Sequence, residues 1–142
     1  MNIHPIVIHF PIAFLTVYAI FELIRFQKVI DKPYWFNVKK ILIIVGWISS
    51  IMAALTGLLT TNWTIQGPRI FVMHEIFALT TIALSTIATI FYIKNKQSKI
   101  LILIAALILI SITTTGGLGA AMVRGTNFDP LMAPVFKLLK VY

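Results

Sequence analysis

Residues 70–93 read IFVMHEIFALTTIALSTIATIFYI, an apolar run in which Glu75 is the one charged residue. About 20 apolar residues suffice for a helix to cross the hydrocarbon core of a bilayer. Three similar runs occur elsewhere, so the sequence predicts four spans, at 5–24, 41–61, 70–93 and 100–117. The 142 residues are 59% hydrophobic and 11% charged, too little charge for a soluble enzyme domain. We therefore predict an all-α integral membrane four-helix bundle.

The basic residues lie mainly between the apolar runs, and their distribution predicts the topology. The loops joining spans 1 and 2 and spans 3 and 4 carry most of them: Arg25, Lys28, Lys32, Lys39, Lys40, Lys94, Lys96 and Lys99. Such loops face the cytoplasm, so both termini are predicted outside the cell membrane. The net charge of +8 then indicates contact with lipid headgroups rather than nucleic acid. Residues 1–125 are predicted to form the membrane domain and residues 126–142 a tail on the outer surface.

Histidines converge near the predicted outer surface. His9 and His74 each lie four residues after the start of an inward-running span, so both should sit about 6 Å below the helix starts. A His, Ala and Thr pattern at i, i+4 and i+7 begins at His9 and again at His74, and these positions share one helix face. The pattern predicts two helical hairpins in a parallel pseudo-repeat, with His9 and His74 facing each other.

Two imidazoles on facing helices of an apolar bundle are the axial ligands that haem b requires. We therefore predict that His9 and His74 bind the haem iron. The remaining predicted cofactor contacts lie near the outer surface: His4, Arg69, Arg124, Gly57, Gly116 and Gly117. Arginines suit the haem propionates, and glycines let helices approach a flat ring closely.

Two alternatives to haem stay open. Copper or zinc could bind His4, His9 and His74 together, but His4 and His9 are about 140° apart on a continuous helix. Both would face inward only if His4 preceded the helix. Alternatively, each imidazole is structural and caps a helix or bonds a carbonyl group. The chain has no cysteine, which excludes disulfides, iron–sulfur clusters and covalently attached haem.

The opening motif His4-Pro5-Ile6-Val7-Ile8-His9-Phe10-Pro11 resembles that of the predicted-membrane-protein family called domain of unknown function 2231. The resemblance extends to the single His74 of the third span and to the glycine-rich stretch that begins at Gly116. It implies a four-helix membrane domain. Some members of that family are fused to c-type cytochrome or Rieske-type domains, so the resemblance also implies a place in electron transfer.

We thus predict a b-type cytochrome-like electron-transfer subunit rather than a stand-alone enzyme. Its expected partners are other membrane redox subunits or outer-face electron carriers. The competing interpretation is a non-catalytic accessory subunit of a respiratory membrane complex. A transporter is disfavoured because the spans show no continuous polar path. Near the inner end of span 1, Glu22 is expected to pair with Arg25, three residues later.

Overall fold

The computed structural model describes residues 3–24, 32–64 and 67–141. These residues form six helices and no strand: α1 (His4–Val7), α2 (His9–Leu23), α3 (Pro33–Thr60), α4 (Arg69–Ile93), α5 (Ile100–Arg124) and α6 (Ala133–Leu139). Four stretches are long and apolar enough to cross a membrane: His4–Leu23, Tyr34–Thr60, Arg69–Ile93 and Ile100–Arg124. The predicted all-α membrane fold is confirmed.

Two helices are longer than the hydropathy pattern predicts. α3 begins at Pro33, where proline is favoured because its fixed φ suits the first helical position. α5 continues through the glycine-rich stretch as far as Arg124 and ends at Gly125, whose φ is +85°. In a bilayer every backbone N–H and C=O needs a partner, so the helix persists where glycine would weaken it in water. Arg25 and Lys28 of the predicted inner loop lie outside the described residues.

The four long helices form a ring around a shared core. α2 packs against α3 and α5, and α4 packs against the same two helices. α2 and α4 therefore lie on one diagonal of the bundle. Leu15 of α2 packs closely against Gly46 of α3, where an added Cβ would lie 2.8 Å from Leu15 Cγ. Small residues of this kind let membrane helices approach each other.

The buried faces of α2 and α4 confirm a parallel repeat but correct its register. Residues 11–22 and 81–92 show the same order of buried, half-buried and exposed positions. Extending this alignment towards the N-terminus pairs His4 with His74, rather than His9 with His74. The predicted register differs by five residues, because Ala and Thr are too common in membrane helices for their spacing to define it.

The first span is interrupted at Ile8, between α1 and α2. Pro11 has no backbone N–H and cannot bond the carbonyl of Val7, four residues earlier, and its ring crowds that turn. The break thus lies three residues before Pro11, and Ile8 itself keeps helical dihedral angles (φ −62°, ψ −22°). The short α1 packs against α3.

The bundle has two chemically different ends. The histidine end contains His4, His74 and the last turns of α3 and α5, and the lysine end contains Lys39, Lys94 and Lys99. The tail helix α6 lies at the histidine end, where Phe136 is buried beside Leu118 of α5. The tail thus packs one apolar side onto the bundle and leaves residues such as Leu138 exposed.

Candidate functional site

His74, on α4, is a half-buried imidazole fixed by the backbone of α5. Its Nδ1 lies 3.0 Å from the carbonyl oxygen of Thr115. A carbonyl oxygen only accepts hydrogen bonds, so Nδ1 is the protonated nitrogen and Nε2 carries the ring's lone pair. The ring stands against Gly119, where a Cβ would lie 3.3 Å from His74 Cε1. The position of the imidazole therefore depends on a carbonyl and a glycine of the neighbouring helix.

His4, at the start of α1, has an equivalent environment on α3. Its Nδ1 lies 3.0 Å from Thr56 Oγ1, and the Thr56 hydroxyl donates to the Ala53 carbonyl over 2.9 Å. A hydroxyl has one proton, so Thr56 accepts the hydrogen bond from His4. Nδ1 of His4 is then protonated and Nε2 again carries the lone pair. The ring contacts Gly57, where a Cβ would lie 3.1 Å from His4 Cε1.

The two histidine sites are related by the repeat. Gly57 and Gly119 are 62 residues apart, as are the carbonyl-bearing residues Ala53 and Thr115. Each imidazole is thus linked to the equivalent backbone carbonyl of its neighbouring helix. His74 bonds the Thr115 carbonyl directly, whereas His4 bonds the Thr56 hydroxyl, which donates to the Ala53 carbonyl. His4 lies on α1, which packs against α3, and His74 lies on α4, which packs against α5. His4 and His74 thus lie at the same end of the bundle, each held by a different neighbouring helix.

The expected pairing of His9 with His74 is corrected by this geometry. His9 is exposed on the outer side of α2, while His4 occupies the inward position. The two residues are about 140° apart on a helix, so His9 faces away when His4 contacts Thr56 and Gly57 of α3. A site formed by all three histidines does not occur either, since the described residues contain no group of three His, Cys, Asp or Glu placed to hold a metal ion.

The predicted glycines have different neighbours: one contacts a histidine and the other two contact apolar side chains. Gly57 contacts His4, as described above. Gly116 instead faces Ile12, whose Cδ1 would lie 3.7 Å from an added Cβ. Gly117 is covered by Met132 of the tail. Gly119 is the glycine that the sequence analysis left out of the site, although it belongs to the same glycine-rich stretch and matches Gly57 in the repeat.

Both predicted arginines lie at the histidine end and contact the chain beyond α5. Arg69 Nε donates to the Leu139 carbonyl over 2.7 Å. The Arg124 guanidinium lies 5.8 Å from the ring centroid of Phe128, a cation–π distance. Each guanidinium has five N–H donors, so these contacts leave further donors for an anionic group at the rim.

A second polar cluster, absent from the sequence prediction, lies at the lysine end. Glu22 is buried and pairs with Lys39, whose Nζ lies 2.9 Å from Glu22 Oε2. The same carboxylate oxygen accepts a hydrogen bond from the Tyr92 hydroxyl. The expected Arg25 partner lies outside the described residues, and Lys39 pairs with Glu22 because α3 begins early enough to carry it.

Fold and site together define a four-span membrane protein with a pair of oriented imidazoles at one end of the bundle. A model of the family described as "Predicted membrane protein (DUF2231)" matches residues 1–128, and the chain belongs to that family. The resemblance of the opening motif is thereby confirmed. Searches of curated proteins and of solved structures give no match.

Proposed function

We propose that this protein is an electron-transfer subunit that binds one haem b between His4 and His74. The observation that carries the proposal is the shared orientation of the two imidazoles. Each has its Nδ1–H directed to a neighbouring helix, which makes Nε2 the coordinating nitrogen. Ligand histidines are typically oriented through the other ring nitrogen in this way. The proposal is also supported by the different neighbours of the two rings, since His4 contacts α3 and His74 contacts α5.

The number of available ligands favours haem over copper or zinc. A porphyrin supplies four ligands to its iron, so two axial imidazoles complete the coordination. Structural zinc sites use four protein ligands and catalytic sites three, whereas the described residues contain no cluster of three candidate ligands. His9 does not fit as an axial ligand because its side chain is exposed.

The surrounding residues support the same site. Gly57 and Gly119 set the depth of each imidazole, and the remaining N–H donors of Arg69 and Arg124 suit propionate carboxylates at the rim. A bound haem would supply one-electron redox chemistry. The 25 residues of α4 span about 37 Å, so a centre at one end serves electron carriers or membrane subunits on that side and does not cross the bilayer alone.

The lysine distribution supports an orientation for this site. Lys39, Lys40, Lys94 and Lys99 lie at the lysine end, which by the positive-inside rule faces the cytoplasm. The histidine end and both termini would then lie outside the cell membrane. The electron donor and acceptor of the proposed centre would be outer-face carriers or neighbouring redox subunits.

Visible spectroscopy of single-histidine variants tests the proposal. Protein purified from haem-replete cells should give a reduced-minus-oxidised spectrum of bis-histidine b type. We expect His4→Ala and His74→Ala to lose it and His9→Ala to keep it, because His9 is exposed. External imidazole should restore the spectrum of His74→Ala, since it replaces the missing ligand. A spectrum lost in His9→Ala and kept in His4→Ala would refute the assigned pair.

The competing function is a non-catalytic accessory subunit whose histidines are structural. A colourless protein of normal stability would favour it, and bound copper or zinc without porphyrin would favour a metal site.

A further inference from the structure

A cavity of about 210 Å³ opens at the lysine end, where α2 and α4 end and α5 begins. Its polar wall consists of Glu22, Lys39, Tyr92, Gln97, Ser98 and Lys99. The apolar side chains of Ile24 and Leu101 complete the lining. Sites for drug-sized ligands measure about 300–1,000 Å³, so this cavity suits a small polar group rather than a large cofactor.

The carboxylate in this cavity is already compensated within the bundle. Glu22 Oε2 lies 2.9 Å from Lys39 Nζ and also accepts the hydrogen bond of the Tyr92 hydroxyl. The Glu22 side chain is 6% exposed and that of Lys39 is 15% exposed, so the pair is largely shielded from water. Because these two charges cancel, Lys99 decides the net charge of the cavity.

Lys99 gives the cavity a positive charge that is not compensated. Its side chain is exposed, and the ion pair of Glu22 is the only one in the part of the chain that the structure describes. Two neutral donors lie beside Lys99. The Ser98 hydroxyl accepts from the Ile100 N–H over 3.4 Å, which leaves its own proton to donate, and the Gln97 amide has two N–H donors. An ammonium group with such neighbours suits the oxygens of a phosphate.

The cavity lies at the level of the lipid headgroups. α2 ends at Leu23, α4 ends at Ile93 and α5 begins at Ile100, so three apolar spans reach the membrane surface beside it. An apolar stripe runs from this end along one face of α5, and its members are 42–60% exposed: Ile100, Leu103, Leu107 and Ile110. The stripe covers about 15 Å, half of the ~30 Å hydrocarbon core. It therefore matches the depth of one leaflet.

We infer that this cavity binds the phosphate of an anionic phospholipid from the leaflet at the lysine end. Lys99 pairs with the phosphate, Gln97 and Ser98 donate hydrogen bonds to it, and the acyl chains lie along the stripe on α5. Basic pockets between membrane helices on the cytoplasmic side bind such headgroups. One negative charge neutralises the site, so a zwitterionic lipid binds less well. The inference does not depend on the proposed haem, which lies at the other end of the bundle.

The stability of the full chain in the presence of different lipids tests the inference. Delipidated protein in a neutral detergent is titrated with phosphatidylglycerol, with phosphatidylcholine of the same acyl chains, or with inorganic phosphate. A ligand that binds the folded state raises the melting temperature as its occupancy increases. We expect phosphatidylglycerol to raise it most, and native mass spectrometry to detect one retained lipid per chain.

Lys99→Gln and Lys96→Gln form a matched pair of variants. Each removes one exposed lysine from the segment between α4 and α5, and of the two Lys99 lines the cavity. Lys99→Gln should bind phosphatidylglycerol roughly fivefold more weakly, the effect of one lysine on an anionic headgroup, whereas Lys96→Gln should bind it like the wild type. Lys99→Arg keeps the charge and should retain most of the affinity. Without lipid all three should melt like the wild type, because both positions are exposed.

Three results would overturn the inference. Equal weakening in Lys96→Gln and Lys99→Gln would show that the loop attracts anionic lipid diffusely, without a site at the cavity. Equal stabilisation by phosphatidylglycerol and phosphatidylcholine would show that the negative charge is not recognised. Stabilisation by inorganic phosphate equal to that by phosphatidylglycerol would identify the ligand as a free anion instead of a lipid.

Discussion

The two ends of the bundle treat polar groups in opposite ways. At the lysine end, the Glu22 carboxylate is neutralised by Lys39 and accepts a hydrogen bond from Tyr92, so the buried charge is paired within the bundle. At the histidine end, His4 and His74 each use one ring nitrogen for orientation by a neighbouring helix. The comparison shows that the first arrangement holds charge in an apolar core, whereas the second fixes the orientation of two imidazole rings.

The largest effect is expected from breaking the charge pair at the lysine end. Lys39→Met leaves the Glu22 carboxylate buried without its cation, which should cost about 3–5 kcal/mol of unfolding free energy. Unfolding of the detergent-solubilised protein by denaturant measures this. Lys40→Met is the control, because Lys40 makes an exposed hydrogen bond to Asn95. Equal losses in the two variants would show that the pair does not stabilise the lysine end.

The next effect concerns the tail, which covers only the histidine end. Phe136 is 1% exposed whereas Leu138 is 81% exposed. Phe136→Ala should cost about 3 kcal/mol through lost burial and a cavity, and Leu138→Ala should leave stability unchanged. Limited proteolysis after residue 125 would report the loosened tail. Cleavage at the same rate in both variants would contradict packing of α6 onto the bundle.

A smaller effect is expected where glycines contact the imidazoles. An alanine at Gly57 or Gly119 would place its Cβ 3.1 or 3.3 Å from a histidine Cε1, whereas at Gly116 the nearest atom is 3.7 Å away. Overpacking should cost about 1 kcal/mol at the first two positions and weaken retention of the proposed haem, while Gly116→Ala should retain it. Retention during dialysis measures this. Loss only in Gly116→Ala would show that the glycines do not set the imidazole positions.

An effect of similar size should separate the two histidines. Thr56→Val removes the hydroxyl that links His4 to a carbonyl, so the variant should lose about 1 kcal/mol and its spectrum should change. Thr115→Val leaves the backbone acceptor of His74 in place and should keep the wild-type spectrum. Thermal unfolding and visible spectra of both variants check this. If Thr56→Val and Thr115→Val behaved alike, His4 would not be oriented by a hydroxyl and His74 by a backbone carbonyl.

The pattern of hydropathy was sufficient to predict the four spans, because backbone groups in lipid must be satisfied within helices. It placed the ends of α3 and α5 less well, since the polar Lys39 and the glycines around Gly117 look like loop residues in sequence. The opening motif also indicated the family whose model matches residues 1–128.

The site was predicted only in part, because the sequence does not show which side of the first span faces the bundle. His74 and Gly57 were named as site candidates, and both lie at the histidine end, but five residues separate His4 from His9, about 140° around a helix. Which of them points inward depends on how the first span packs against α3. The Glu22–Lys39 pair joins positions on different helices, so no spacing within one segment could reveal it.

The sequence by itself determined that this chain lies in a membrane as four helices, because the length and hydrophobicity of each segment settle that question locally. The tertiary structure alone decided which imidazoles face a neighbouring helix, which glycines they contact and which lysine neutralises the buried carboxylate. These depend on how four helices rotate and shift against one another, and that packing is a property of the whole bundle.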